Sequence, residues 1–195
     1  MQGEEYEPPP PEAWKGLFNK PGMVRSEVSR EIEEDKSKWI DAYAELHVCT
    51  DIPMASLRET ILDYAIYPQI FKRNKGMDVV YEDGKVYHDM VAGIEVFGVA
   101  YTMWFRQQVT VVIDEPDRLL LDFSHVADDG RVKDVRGAWY FESLPGTDWT
   151  YVRYYGASRV VQRFPLQRFI MSILIDGETK DALVQFLAAA RKRNS

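Results

Sequence analysis

Three histidines and one cysteine are the residues of this chain best able to do chemistry near neutral pH: His47, His88, His125 and Cys49. The histidines are far apart, and no short spacing joins them into a metal-ligand set. A single cysteine excludes an internal disulfide framework. The chain has no phosphate-cradling glycine loop, dinucleotide fingerprint, nucleophile elbow or HExxH pair. His88 and His125 are the acid/base candidates. Neither has an evident carboxylate to orient it, so His125 reads more readily as a cavity-wall histidine bonded to Gln107 or Tyr154 than as a catalytic base. His47 reads as an exposed strand residue and Cys49 as a small buried apolar group. Asp63, beside Tyr64 and Tyr67, reads as a helix-end hydrogen-bonding residue. No catalytic residue, metal or cofactor is expected.

Composition narrows the class of partner. The chain has 195 residues, of which 46% are apolar, enough for one well-cored domain. The net charge of −7 lacks the clustered Lys and Arg that phosphate binding needs, so no nucleic acid is expected. The unusual number is 13% aromatic, which suits a binding module. No stretch is long and apolar enough for a membrane-spanning helix. The N-terminus, with four Glu in residues 1–12 and a run from Pro8 to Pro11, is not a signal peptide. The compartment stays open: cytoplasmic, or exported after loss of a signal peptide. The expected division is an acidic, Pro-rich, disordered tail over 1–13 and a single ligand-binding domain over 14–195.

The elements that position these residues follow from periodicity. Met23–Glu31 fits either a short helix, through Val24, Val28 and Ile32, or an edge strand. Ile40–Thr50 alternates as a strand. Asp51 before Pro53 then starts a short helix over Met54–Leu62, and a second follows over Tyr64–Lys72. From Met77 to Val161 the period is two, broken by turn signals at Asp83-Gly84, Val96 to Gly98, Glu115 to Asp117, Asp128 to Gly130 and Pro145 to Thr147. This predicts an antiparallel meander of about six strands. After Pro165 the period returns to that of a helix. Leu166, Phe169, Ile170 and Ile173 define its expected inner face, continued by Leu183, Val184 and Leu187. Gly177 allows either one long helix, kinked there, or two.

Turn centres fix registers, and registers fix faces. They place Phe141, Trp139 and Gly137 opposite Val152, Tyr154 and Gly156. Leu119, Leu121, Phe123 and His125 face Phe141, Trp139, Gly137 and Val135 on one side, and Ile113, Val111, Val109 and Gln107 on the other. Tyr81, Val79 and Met77 face Val86, His88 and Met90. One face is then apolar, interrupted by His88, Gln107, His125, Tyr154 and Ser158. The other carries Asp122, Arg136, Glu142, Arg106, Thr102 and Arg153, as a solvated face should. The expected ligand-binding set is His88, Met90, Phe105, Gln107, Val109, Phe123, His125, Trp139, Tyr154, Phe169, Ile170 and Ile173.

The run Asp51-Ile52-Pro53-Met54-Ala55-Ser56-Leu57, then Ile61-Leu62-Asp63-Tyr64 and Tyr67-Pro68, resembles the START-like, Bet v 1-like superfamily. That superfamily includes polyketide cyclase/dehydrase and lipid-transport proteins. The resemblance covers Trp39 to Arg193, and the stretch from Trp14 through Val24–Glu31 is similar to the opening of START-type domains, which favours a strand there. It implies an α+β helix-grip fold: a curved antiparallel sheet of about seven strands around a long C-terminal helix, with two short helices after the first main strand. Between sheet and helix it implies an elongated apolar cavity. The expected function is carriage or sequestration of a hydrophobic small molecule (a lipid, isoprenoid or polycyclic compound), with a cyclase/dehydratase-type enzyme using a cavity histidine as the alternative. Arg163-Phe164-Pro165 and Val96-Phe97-Gly98 are expected at the cavity mouth, where an aromatic beside a breaker suits transient membrane contact.

Overall fold

The computed structural model describes residues 7–33, 36–70, 74–96 and 99–193. A short helix α1 (Pro11–Leu17) precedes strands β1 (Gly22–Ile32) and β2 (Lys38–Thr50). Helix α2 (Met54–Leu62) leads through a turn of 3-10 helix to α3 (Tyr67–Ile70). Six strands follow: β3 (Asn74–Glu82), β4 (Lys85–Val96), β5 (Val99–Asp114), β6 (Arg118–Asp128), β7 (Val132–Ser143) and β8 (Thr150–Val161). Helix α4 (Gln167–Arg193) closes the chain as one 27-residue element through Gly177. The strands form one eight-stranded sheet in the order β1-β2-β8-β7-β6-β5-β4-β3, each neighbouring pair antiparallel. This is the expected helix-grip architecture with one strand more. β1 occupies the edge, beside β2.

The turns hold the registers in place. Asp83, Gly84, Gly130 and Gly146 all adopt positive φ, the left-handed backbone that tight reversals require. Trp139 pairs with Tyr154 and Gly137 with Gly156. Leu121 pairs with Trp139, Gln107 with His125 and Val79 with His88. Ile113 is an exception: it faces Leu120, because a bulge shifts the register between Val111 and Ile113. An extra residue in one strand moves every pairing beyond it by one.

The core lies between the concave face and the second half of α4. Leu46, Val48, Leu119, Leu121, Trp139, Phe141 and Val152 from the sheet meet Leu57 and Ile61 of α2 and Ala182, Leu183, Phe186, Leu187 and Ala190 of α4. Phe186 sits 4.8 Å from the ring of Trp139 and 5.6 Å from that of Phe141, inside the range where aromatic pairs attract. The first half of α4 presents a different face from the expected one. Leu166 and Phe169 are exposed at 56% and 63%, while Gln167 is buried and Met171 packs inward. This segment is apolar on several sides, so composition does not choose a face; the contact made farther along the helix does. Val184 is likewise exposed, between buried Leu183 and Phe186.

The convex face carries its own small core. Cys49, Leu120, Ala138, Tyr140, Leu144 and Tyr151 are covered by Trp14 and Leu17 of α1 and by Trp149. Helix α1 thus begins at Pro11 and ties the chain's start to the sheet, inside the segment expected to be extended. Burial pushes the Cys49 thiol up to about 11, which leaves it unreactive.

A β-carbon at Gly137 would lie 2.7 Å from the carbonyl oxygen of Tyr155, a backbone atom that cannot swing away, whereas one at Gly156 would meet only the Tyr154 hydroxyl at 3.3 Å. Gly137→Ala is therefore expected to lower the unfolding free energy by about 2 kcal/mol or more and Gly156→Ala by under about 1 kcal/mol. Denaturant titration followed by Trp fluorescence checks the difference; equal losses would contradict the close approach.

Candidate functional site

Two chambers lie between the concave face and α4. The inner one, about 260 Å³, is walled by Ala42 and Ala44 of β2, Tyr67 of α3, His88 and Met90 of β4, Phe105 and Gln107 of β5, Phe123 of β6, Trp139 of β7 and Tyr154 of β8, with Ile175 and Thr179 of α4 above. The outer one, about 730 Å³, is lined by Tyr101, Thr102 and Met103 of β5, Arg131, Val160 and Val161, Arg163 and Phe164, and Gln167 and Met171 of α4. Phe105, Val135 and Ser158 line both. Together they have the size and the mainly apolar wall of a small-molecule site. Among the described residues no Asp or Glu lines either one.

Small residues make the space. Ala42, Ala44, Gly137, Gly156 and Ala157 put little or nothing beyond the backbone where β2, β8 and β7 pass under the helix. The first half of α4 borders the chambers through Gln167, Met171, Ile175 and Thr179, and Phe164 sets its ring at a tilt 4.6 Å from that of Tyr101 at the outer end.

Of the twelve residues expected to bind ligand, seven meet in the inner wall: His88, Met90, Phe105, Gln107, Phe123, Trp139 and Tyr154. Val109 belongs to the packed core. His125 is half-buried beside Gln107 and lines neither chamber; its Nε2 lies 3.1 Å from Asp128 Oδ2, in an orientation that makes no hydrogen bond. Gln107 does not bond His125 either. Its Nε2 donates to the Val135 carbonyl, 3.4 Å away. Phe169 faces outward, Ile170 is half-buried without lining a chamber, and the side chain of Ile173 lies outside the described residues. Phe97 and Gly98 also lie outside them. The outer chamber, built from the start of β5 and the start of α4, was anticipated only at Arg163 and Phe164, expected at the cavity mouth. Tyr101, Met103 and Phe105 recur at every second position of β5, a period-two signal that was present.

The electrostatics of the inner wall are those of an uncharged pocket. His88 is 1% exposed, with its ring edge-on to Tyr64 at 4.9 Å and Tyr67 at 5.1 Å. Burial lowers its pKa to about 4, so it is neutral at pH 7, and its Nε2 has no partner. Tyr67 donates its hydroxyl to the Ile61 carbonyl at 2.9 Å. Burial raises the Tyr154 phenol to about 12. Arg136, at the chamber's edge, is exposed and pairs with Asp134.

The convex face behind this wall holds the charges. His47 and Arg153 are not solvated there. Glu45 and Arg153 are each 8% exposed, with Arg153 Nε 2.6 Å from Glu45 Oε1. Tyr43 donates to Glu45 Oε2 at 2.7 Å, and His47 Nε2 sits 2.9 Å from Oε1. That contact makes Nε2 the protonated nitrogen, leaving Nδ1 to accept the Tyr151 hydroxyl at 3.0 Å. The contact with His47 is the main influence that lowers Glu45 to about 2, with Tyr43 and Arg153 adding to it against burial. Asp63 pairs with Arg193, tying the end of α2 to the last turn of α4.

The polyketide cyclase / dehydrase and lipid transport family matches residues 51–183. The chain belongs to this family. No curated protein matches it in sequence. Among solved structures it is similar to the Zhui aromatase/cyclase of Streptomyces sp. R1128, with TM-score 0.58 and 16% identity over 80% of this chain and 96% of that one. It is also similar to human StAR-related lipid transfer protein 5, with TM-score 0.59 and 9% identity over 90% and 88%. A STAR-related lipid transfer protein from Xanthomonas axonopodis gives TM-score 0.57 and 12% identity over 84% and 98%. The family and its fold neighbours thus include both lipid-transfer proteins and aromatase/cyclases. No described helix is long and apolar enough to cross a membrane.

The lowered pKa of His88 sets a sign for stability. The unfolded chain binds a proton at this residue below about 6.5, while the folded chain resists it down to about 4. Stability is therefore present in full above pH 6.5 and falls through the window between, by about 3 kcal/mol in total. Glu45 contributes in a lower window, losing its stabilisation as pH drops from 4.5 towards 2. His88→Phe should flatten the upper window and leave the lower one intact. Unfolding free energies between pH 7 and 4 check this, and an unchanged slope in the variant would show that His88 is not the group responsible.

Proposed function

We propose that the protein binds a hydrophobic small molecule, a lipid, isoprenoid or polycyclic compound, in the two chambers and holds it for transport or sequestration. The observation that carries this reading is continuity: Phe105, Val135 and Ser158 belong to both walls, so one elongated ligand can occupy both. The driving force is desolvation. Each 100 Å² of apolar ligand surface removed from water contributes about 2.5 kcal/mol. The likeness to lipid-transfer structures in fold, and membership of a family whose description includes lipid transport, support the same reading.

Ser158 is the residue to alter. It faces Ala42 on one side and Val135 on the other, at the neck between chambers. Ser158→Leu should lower affinity for a long-chain fluorescent lipid by tenfold or more while a short probe that fits the outer chamber keeps its affinity. Native mass spectrometry of freshly purified protein, with organic extraction of what co-purifies, tests the reading directly: no bound lipid and no binding of either probe would overturn it.

Ligand exchange with a membrane surface fits the exposure of Leu166 and Phe169 on the first turns of α4, next to the Gln167 and Met171 wall of the outer chamber. Phe169→Ser is expected to slow probe transfer between vesicles several-fold at unchanged affinity. Stopped-flow transfer beside equilibrium titration separates the two, and an unchanged transfer rate counts against membrane contact there.

A cyclase/dehydratase-type activity is favoured by one observation, the unpartnered Nε2 of neutral His88 in the inner wall. Turnover of a polyketide mimic that His88→Phe abolishes would establish it.

A further inference from the structure

We infer that the inner chamber selects an uncharged ligand end bearing a hydroxyl, which enters first and donates its proton to Gln107 Oε1. The inference rests on the chambers being the ligand site and goes further by assigning the ligand's chemistry and orientation. Gln107 is 7% exposed and lines the inner chamber. Its Nε2 is committed to the Val135 carbonyl, and only a donor can face a carbonyl, so the amide cannot flip. Oε1 is thereby left as an acceptor with no partner among the described residues. On the adjoining strand, directly paired with Gln107, His88 presents a second uncharged polar group whose Nε2 is also unpartnered.

These groups decide between two orientations. An amphiphile with its tail inward would cover Gln107 Oε1 with methylenes and leave a buried acceptor unsatisfied, which is costly. A hydroxyl placed there satisfies it. An anion is excluded for a different reason. A carboxylate or phosphate cannot donate to Oε1, burial keeps His88 neutral, and the one arginine among the described inner-wall residues, Arg136, is exposed at the chamber's edge and paired with Asp134; Arg131 and Arg163 line the outer chamber. The inner chamber therefore suits an alcohol or phenol on a ring or isoprenoid body, and disfavours a fatty acid in the head-first orientation.

Three probes of one shape test this: methylpyrene, pyrenemethanol and pyrenecarboxylate, titrated at pH 7 by fluorescence. Pyrenemethanol is expected to bind about tenfold tighter than methylpyrene, the ratio for one well-made hydrogen bond, and pyrenecarboxylate no tighter than methylpyrene. Gln107→Leu should bring the alcohol-to-methyl ratio to about one and leave methylpyrene affinity within about twofold. The wild-type ratios stand as a test even where the variant does not fold, which thermal denaturation reveals. Equal affinity of wild type for the alcohol and methyl probes, or tighter binding of the carboxylate, overturns this inference while leaving the cavity as the ligand site. Failure of all three probes to bind overturns the cavity reading itself.

Discussion

The contact between the second half of α4 and the aromatic floor of the sheet is the constraint from which the cavity follows. Phe186 wedges against Trp139 and Phe141, flanked by Ala182, Leu183, Leu187 and Ala190. Arg193 is tied to Asp63 and Arg191 to Asp51, which anchors the helix end to both ends of α2. In its first half the helix meets the sheet through Met171, and the chambers open beneath Gln167, Met171, Ile175 and Thr179. The space so opened is lined by short side chains at Ala42, Ala44, Gly137 and Gly156, and it is not refilled by Leu166 or Phe169, which turn outward. The cavity thus follows from where the helix is clamped together with the small residues beneath it.

The sheet is supported unequally across its width. Strands β2, β8 and β7 are packed on both faces: helix α4 and the chamber on one, α1 and the Glu45–His47–Arg153 network on the other. Such a buried ion pair gives modest net stability, since desolvating both charges offsets most of their attraction, but removing one partner strands the other. It therefore fixes geometry more than it deepens the well. The opposite edge has Tyr81, Val111 and Val112 open to solvent, with one face only to hold it.

Sequence made the strands legible because their turns are chemically marked. Asp83-Gly84, Gly130 and Gly146 occupy left-handed backbone that few other residues accept, and each fixes a register over several pairs. Seven inner-wall residues were reachable from those registers alone. The bulge before Ile113 was not, since no residue type marks it. The helix face was not, because residues 166–175 are apolar on several sides and the deciding contact lies beyond them. His47 and Arg153 looked solvated because alternation distinguishes two faces of a strand but cannot tell that α1 and neighbouring tyrosines cover the second one.

The same wall bears on the choice between carrier and enzyme. A proton-transfer cycle on a bound polyketide needs a group that takes a proton and another that stabilises the resulting charge or returns it. Among the described residues of the inner wall His88 is the sole group that titrates near neutrality when free, and burial opposes its protonated form by holding the pKa near 4. Among the described residues no carboxylate lines either chamber to steady an imidazolium, and the phenol of Tyr154 is raised to about 12, away from easy proton release. Each of these features makes the wall a poor proton relay and a good neutral hydrogen-bonding surface. Such a wall fits the proposed carriage of a ligand better than proton transfer to it.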